Sequence, residues 1–171
     1  MREELLEIYS SSGKKTGKKA TKSYIHKKGL FHATVHVWIF SEKGNVLIQK
    51  RSTKKKLNPG VWDVSVAGHI GYKEDIKAAA IRETFEETGW KIQPVKRLGF
   101  FHRFVYMPEY SKWAQKVCHI YICKGLYNLT SPLEKGHKAL LMKPREAVCL
   151  LESPGDRIFV KNYFGRSTEI F

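Results

Sequence analysis

Residues 82–90 read Arg-Glu-Thr-Phe-Glu-Glu-Thr-Gly-Trp, and this stretch constrains the chain more than any other. Ile76, Ala79, Ala80, Ile81 and Phe85 recur at i, i+3, i+4 spacing, which predicts a helix over 74–88 stopped by Gly89. On that helix Glu83, Glu86 and Glu87 fall on one face. Like charges so placed repel one another and cost stability unless a cation sits among them. Hard oxygen donors at this spacing suit Mg²⁺ or Mn²⁺ better than a softer metal. Magnesium keeps waters and shares its coordination with phosphate groups, so the face reads as a site for phosphate chemistry. Arg82 stands next to Glu83, placed to orient or neutralise part of the cluster.

An E-x-x-E-E pattern alone is usually a solvated helix face. The longer pattern is far more specific. Gly68, Glu74, Arg82, Glu83, Glu86, Glu87 and Gly89 match G-x5-E-x7-R-E-U-x-E-E-x-G-U at the correct intervals. Thr84 and Trp90 hold the two U positions, where an aliphatic residue is usual; these are packing positions. The stretch therefore resembles the Nudix box. That resemblance implies an α+β fold, an α/β/α sandwich with a mixed β-sheet. It further implies an Mg²⁺-dependent hydrolase that cleaves a diphosphate linkage in a nucleotide-type substrate. By the same resemblance Glu83, Glu86 and Glu87 hold metal, with the Gly68 carbonyl as a backbone ligand, and Glu74 supports the site or the substrate. Glu83, Glu86 and Arg82 are the expected catalytic residues, Glu83 as the base, although some members use a glutamate outside the box.

The resemblance extends upstream through 29–40, Gln49-Lys50-Arg51-Ser52 and 59–69, and there it looks like the branch related to isopentenyl diphosphate isomerase. It covers about residues 4–95; the C-terminal third carries no family signal. The isomerases place a catalytic cysteine before the Gly-His of this segment, where this chain has Ala67. A methyl group cannot move a proton on an allylic carbon, so the hydrolase reading is preferred and an isomerase-like protein is the alternative. His32 and His69 match histidines that bind metal in the isomerases, and His26 lies one residue from a third. Retained metal binding, a structural role and substrate contact all stay open for them. Arg51 is a candidate to grip a phosphate. Trp62 is either a core residue or a ring that stacks on a base.

The rest of the chain is read from pattern. Strands are expected at 4–9, 32–40, 46–50, 95–106 and 117–123, with a shorter extended stretch at 61–67. Lys14 to Lys28 reads as an exposed loop with a short helical turn, Met107 to Trp113 as a loop, and 144–151 as a helix opened by Pro144. Phe100, Phe101 and Phe104 are expected in the core. With 171 residues and no internal repeat, one domain is expected, residues 1–30 forming a basic extension packed on it. Cys118 and Cys123 should point to opposite faces of their strand, which argues against a shared metal site.

The net charge of +15 is the unusual global property. Such a field gathers anionic substrates. It suits a small diphosphate compound and equally RNA, although no interleaved aromatic motif of the RNA-recognition type is evident. No apolar run suggests a membrane span, no secretory signal is expected, and few cysteines fit a reduced, cytoplasmic setting. Many Nudix proteins are homodimers, so the resemblance admits that state as well.

Overall fold

The computed structural model describes residues 3–55, 58–90, 92, 96–124 and 138–164. The first strand, β1 (Leu5–Tyr9), stands where expected. The lysine-rich segment after it is not a loop. It forms β2 (Lys15–Thr21), antiparallel to β1, and then α1 (Lys22–Lys28). Most side chains of β2 face solvent, so no apolar alternation marks the strand, and pairing with β1 supplies its order instead. The Thr21 hydroxyl caps α1 by accepting from the Tyr24 N–H, and Gly29 closes it in the left-handed conformation.

The spine of the sheet is β3 (Phe31–Phe40), whose β-branched and aromatic run is buried after Phe31. It meets β1 at His32, β4 (Val46–Lys50) at Phe40, and β6 (Val66–His69) over 34–37. Between β4 and β6 lies the short β5 (Trp62–Asp63), paired with β4. The box helix is α2 (Ile76–Thr88), with Asp75 as its cap, accepting from the N–H groups of Lys77 and Ala78. Its buried stripe is Ala79, Ala80, Thr84 and Thr88; Phe85, expected on the apolar face, is exposed. Small residues win the buried side because α2 lies close against β3 and β6.

Downstream, β7 (Lys96–Met107) and β8 (Lys112–Lys124) form a long antiparallel hairpin through a tight turn at Pro108–Tyr110. The loop expected over 107–113 is present but shorter, residues 108–111, with Met107, Lys112 and Trp113 belonging to the strands. β8 runs parallel to β3 along its whole length, which makes the sheet mixed, with nine strands among the described residues. Phe100 and Phe104, expected in the core, are 50% and 56% exposed, because alternate residues of β7 face outward. Three elements of the C-terminal third complete the fold: β9 (Lys138–Met142) beside β4, α3 (Pro144–Leu150) and α4 (Pro154–Phe164). The helix expected over 144–151 ends before Ser153-Pro154-Gly155 as expected, and that sequence also opens a further helix, α4, with proline in its first turn.

Helices cover both faces of the sheet. On one face Ala79 and Ala80 of α2 pack with Val35, Val37, Ile39, Tyr121 and Cys123. On the other, Ala147, Leu151 and Val160 pack with Trp38, Phe40, Ile120 and Ile122. Cys123 joins the first cluster, whereas Cys118 meets Thr34 on the opposite face, as the strand period requires. Trp62 packs on the second cluster, which favours its core reading.

Candidate active site

Beneath β6 and α2 opens a cavity of about 960 Å³. Gly68 sits on β6 where Glu83 of α2 passes under the strand. A β-carbon there would stand 1.9 Å from the Glu83 carboxyl carbon, so only glycine admits this approach. Arg82 then organises the carboxylates. Its Nε and Nη2 donate to the two oxygens of Glu74 at 2.7 and 2.8 Å, a bidentate fork. Its Nη1 donates to Glu83 at 2.8 Å and to Glu86 at 3.2 Å, and Nη2 also donates to the His69 carbonyl at 2.9 Å. Glu87 lies apart from this fork, accepting from Gln49 Nε2 at 2.8 Å.

The electrostatics follow from these contacts. Burial raises the Glu83 carboxyl above the usual carboxylate range, against the pull of Arg82. Burial also works against the charge of Glu74, yet Arg82 and the Gly71 N–H hold its carboxyl below that range. Adjacent carboxylates with opposite shifts are the pattern of one group kept charged for structure and another poised to exchange a proton. The donor set suits a hard divalent ion: carboxylate oxygens on one helix face, with the backbone of Gly68 alongside.

Among the described residues, however, the trio of potential ligand atoms lying within 4.8 Å of one another is His26, His32 and His69. His26 Nε2 and His32 Nε2 are 3.4 Å apart, and the His32 and His69 rings stack with centroids 5.3 Å apart. His69 Nε2 is buried without a partner. Burial, reinforced by Lys116 and Lys22, pushes His26 down to about 4 and His32 to about 3, and lowers His69 too. All three rings are therefore neutral near pH 7. Neutral imidazoles can ligate metal, but the two ammonium groups nearby oppose a bound cation. The cluster is less suited to a divalent ion than the glutamate face.

The structure adds groups that the sequence did not single out. Arg103 reaches Asp156 at 3.7 Å and Asp63 at 3.8 Å, and Asp63 is 3.8 Å from Arg51. This ladder of alternating charges ties Arg51 to α4. Behind it His36 Nδ1 meets Asp156 Oδ1 at 2.9 Å, both fully buried. Arg51, Arg103 and half-buried Lys116 line the cavity, whereas His32 lies beneath its surface. The sequence carried a faint signal for Arg103 and Lys116, since odd positions of β7 and even positions of β8 share one face. Finding it required the register of the hairpin.

Comparison with known proteins is consistent with this geometry. A family model described as the NUDIX domain matches residues 30–163. Nudix hydrolase 3 of Arabidopsis thaliana is 39% identical over 110 residues, a match that covers 64% of this chain and 14% of the plant protein. Isopentenyl-diphosphate Delta-isomerase 2 of Photorhabdus laumondii is 37% identical over 90 residues, covering 53% of this chain and 50% of that protein. This chain thus spans only a small part of the plant relative and half of the isomerase. The crystal structure of the MutT protein from Methanosarcina mazei Go1 superposes with a TM-score of 0.68 at 20% identity. That superposition covers 81% of this chain and 96% of the other, and it shows a shared fold.

Proposed function

The chain belongs to the NUDIX domain family, and on that premise we propose that it is a hydrolase cleaving a diphosphate linkage in a nucleotide-type substrate with Mg²⁺. The observation that carries this reading is the Gly68–Glu83 approach, which fixes one box carboxylate at the cavity wall. Glu83, Glu86 and Glu87 would hold the metal with the Gly68 carbonyl. When bound, the ion supplies Lewis acidity toward a phosphoryl oxygen and a water. Glu83, its affinity for protons raised by burial, would take the proton of a water attacking phosphorus in line at the cavity wall. Arg82 keeps Glu74 charged and sets the orientation of Glu83. On the opposite wall Arg51, Arg103 and Lys116 meet the negative charge of the substrate. His32 and His69 are candidates for substrate contact, His69 directly at the cavity and His32 through it.

The walls favour a nucleotide over a prenyl chain. Besides Ala67, Val105 and Met107 the lining is dominated by charged and polar side chains, and an apolar tail would find few partners there. Ala67, in place of the isomerase cysteine, speaks against isomerisation. The test is phosphate or pyrophosphate release from a panel of nucleotide and prenyl diphosphates, with Mg²⁺, with Mn²⁺ and with EDTA. Metal-dependent turnover of a nucleotide substrate is expected. Conversion of isopentenyl diphosphate to its isomer, or silence across the panel from folded protein, would overturn the reading.

A further inference from the structure

On the face of β7 and β8 opposite the cavity stands a row of aromatic rings. Arg103, Val105 and Met107 of β7 line the cavity, so Phe100, His102, Phe104 and Tyr106 point the other way. Phe100, Phe104, Tyr106 and Trp113 are between 45% and 56% exposed. Neighbouring rings lie in contact: Phe100 and His102 at 6.0 Å between centroids, His102 and Phe31 at 5.7 Å, Phe31 and Phe104 at 6.3 Å. Tyr106 and Trp113, cross-strand partners, close the row at 5.3 Å. A core that needed these rings would bury them, and among the described residues they stay about half exposed. α2 stops over Val35–Ile39 and Tyr121, further along.

Cations bracket the row at both ends. At the Phe100 end, Gly13 lies against the Phe100 ring, exposed Lys14 follows Gly13 in sequence, and Arg97 contacts His119, the cross-strand partner of Phe100. At the Trp113 end, Gly29 lies so near the Trp113 carbonyl that an added β-carbon would be 3.1 Å from it. Exposed Lys27 and Lys28 directly precede Gly29, Lys28 Nζ lying 5.9 Å from the centroid of the Tyr24 ring, and exposed Lys112 is next to Trp113 in sequence. From Lys96 to Lys124 the acidic residue is Glu109, in the turn. Aromatic faces framed by positive charge, on a chain of net charge +15, meet the chemical demands of a polyanion carrying flat bases. Alternate side chains on a strand stand about 6.7 Å apart, roughly twice the rise per nucleotide in a duplex strand. Bases reach such rings only from an opened strand.

We propose that this aromatic row is a binding platform for single-stranded nucleic acid, with bases stacking on Phe100, Phe104, Tyr106 and Trp113 and phosphates met by the flanking lysines. The platform is separate from the cavity and does not depend on which diphosphate is cleaved there. The test is fluorescence anisotropy of the full chain with labelled ten-nucleotide oligouridylate, oligothymidylate and a duplex, at 50 and 200 mM salt. Both single strands should bind more tightly than the duplex, with affinity falling at the higher salt. A preference between the two single strands separates RNA from DNA. Phe104→Ala and Trp113→Ala should each weaken binding about 5- to 100-fold, stacking being lost one ring at a time. Lys112→Glu should weaken it without touching a ring. Light scattering at the same concentrations covers the rival occupant, a second copy of this chain. Unchanged affinity in the ring variants, equal binding of the duplex, no binding, or a dimer that Trp113→Ala converts to monomer would each overturn the proposal.

Discussion

Gly68 and Glu83 are locked together by space: a single methyl group on Gly68 would overlap the Glu83 carboxyl, 1.9 Å from its carbon. Gly68→Ala should therefore swing Glu83 out of place while the surrounding strand pairing persists. Displacement of a reacting group by about 1 Å costs on the order of 10²-fold in rate. Turnover of the substrate found in the panel should fall by about that factor with the melting temperature little changed; full activity would show that Glu83 does not act from this position.

Glu86 is more exposed than Glu83 and meets Arg82 through a longer bond. Glu86→Gln keeps shape and removes charge. Turnover should drop by about 10²- to 10³-fold, a magnitude typical of losing one preorganised electrostatic group. Half-saturation should also need more Mg²⁺. Near-normal activity at ordinary Mg²⁺ would remove Glu86 from the metal face.

Arg82 makes its contacts through three nitrogens of a flat fork. Lysine has one nitrogen and cannot span Glu74, Glu83 and the His69 carbonyl together. Arg82→Lys should cost about 2 kcal/mol in denaturant unfolding, since several charge-assisted bonds are lost and replaced by at most one or two. Activity should fall with it. A variant as stable as the parent would mean that the fork is not needed to hold α2 against β6.

His36 and Asp156 form a buried pair whose charge depends on pH. Burial disfavours the imidazolium, but the carboxylate beside it holds the His36 pKa up at about 10. Asp156 also suffers from burial, and His36 keeps its carboxyl below 3.8. The raised imidazole stabilises the fold fully below 6.5 and loses that contribution as pH climbs toward 10. The depressed carboxylate contributes above 3.8 and is lost on acidification below it. His36→Leu leaves buried Asp156 with the longer 3.7 Å contact to Arg103 as its ion pair and should cost about 3 kcal/mol. Melting curves from pH 4 to 10 should show the parent losing its advantage over the variant at the alkaline end; parallel curves would show that the pair is not charged.

What the sequence made legible was the part governed by short spacing. The Arg82–Glu87 helix and the β3 spine announce themselves through local pattern and stand where expected, although α2 begins at Ile76 and leaves Glu74 in the turn before it. The missed features depend on partners distant in sequence. β2 is a strand because β1 pairs with it, not because its own Lys15–Thr21 residues favour one. Phe100 and Phe104 look like core until the hairpin register shows that Arg103 and Val105 face inward. Asp156 meets His36 across 120 residues of chain, and no local rule points to that contact.

The fork of Arg82 has a further consequence. Carboxylates crowded on one helix face would ordinarily hinder folding until a dication arrived to quiet them. Here the guanidinium already does so, drawing in Glu74, Glu83 and Glu86. On the proposed reading, folding and loading would be separate events: Arg82 already holds Glu74, Glu83 and Glu86 in place, and an arriving ion would meet a face that is built rather than assemble the protein around itself. Chelation should switch such an enzyme off without unmaking it, the reverse of a small domain that metal holds together.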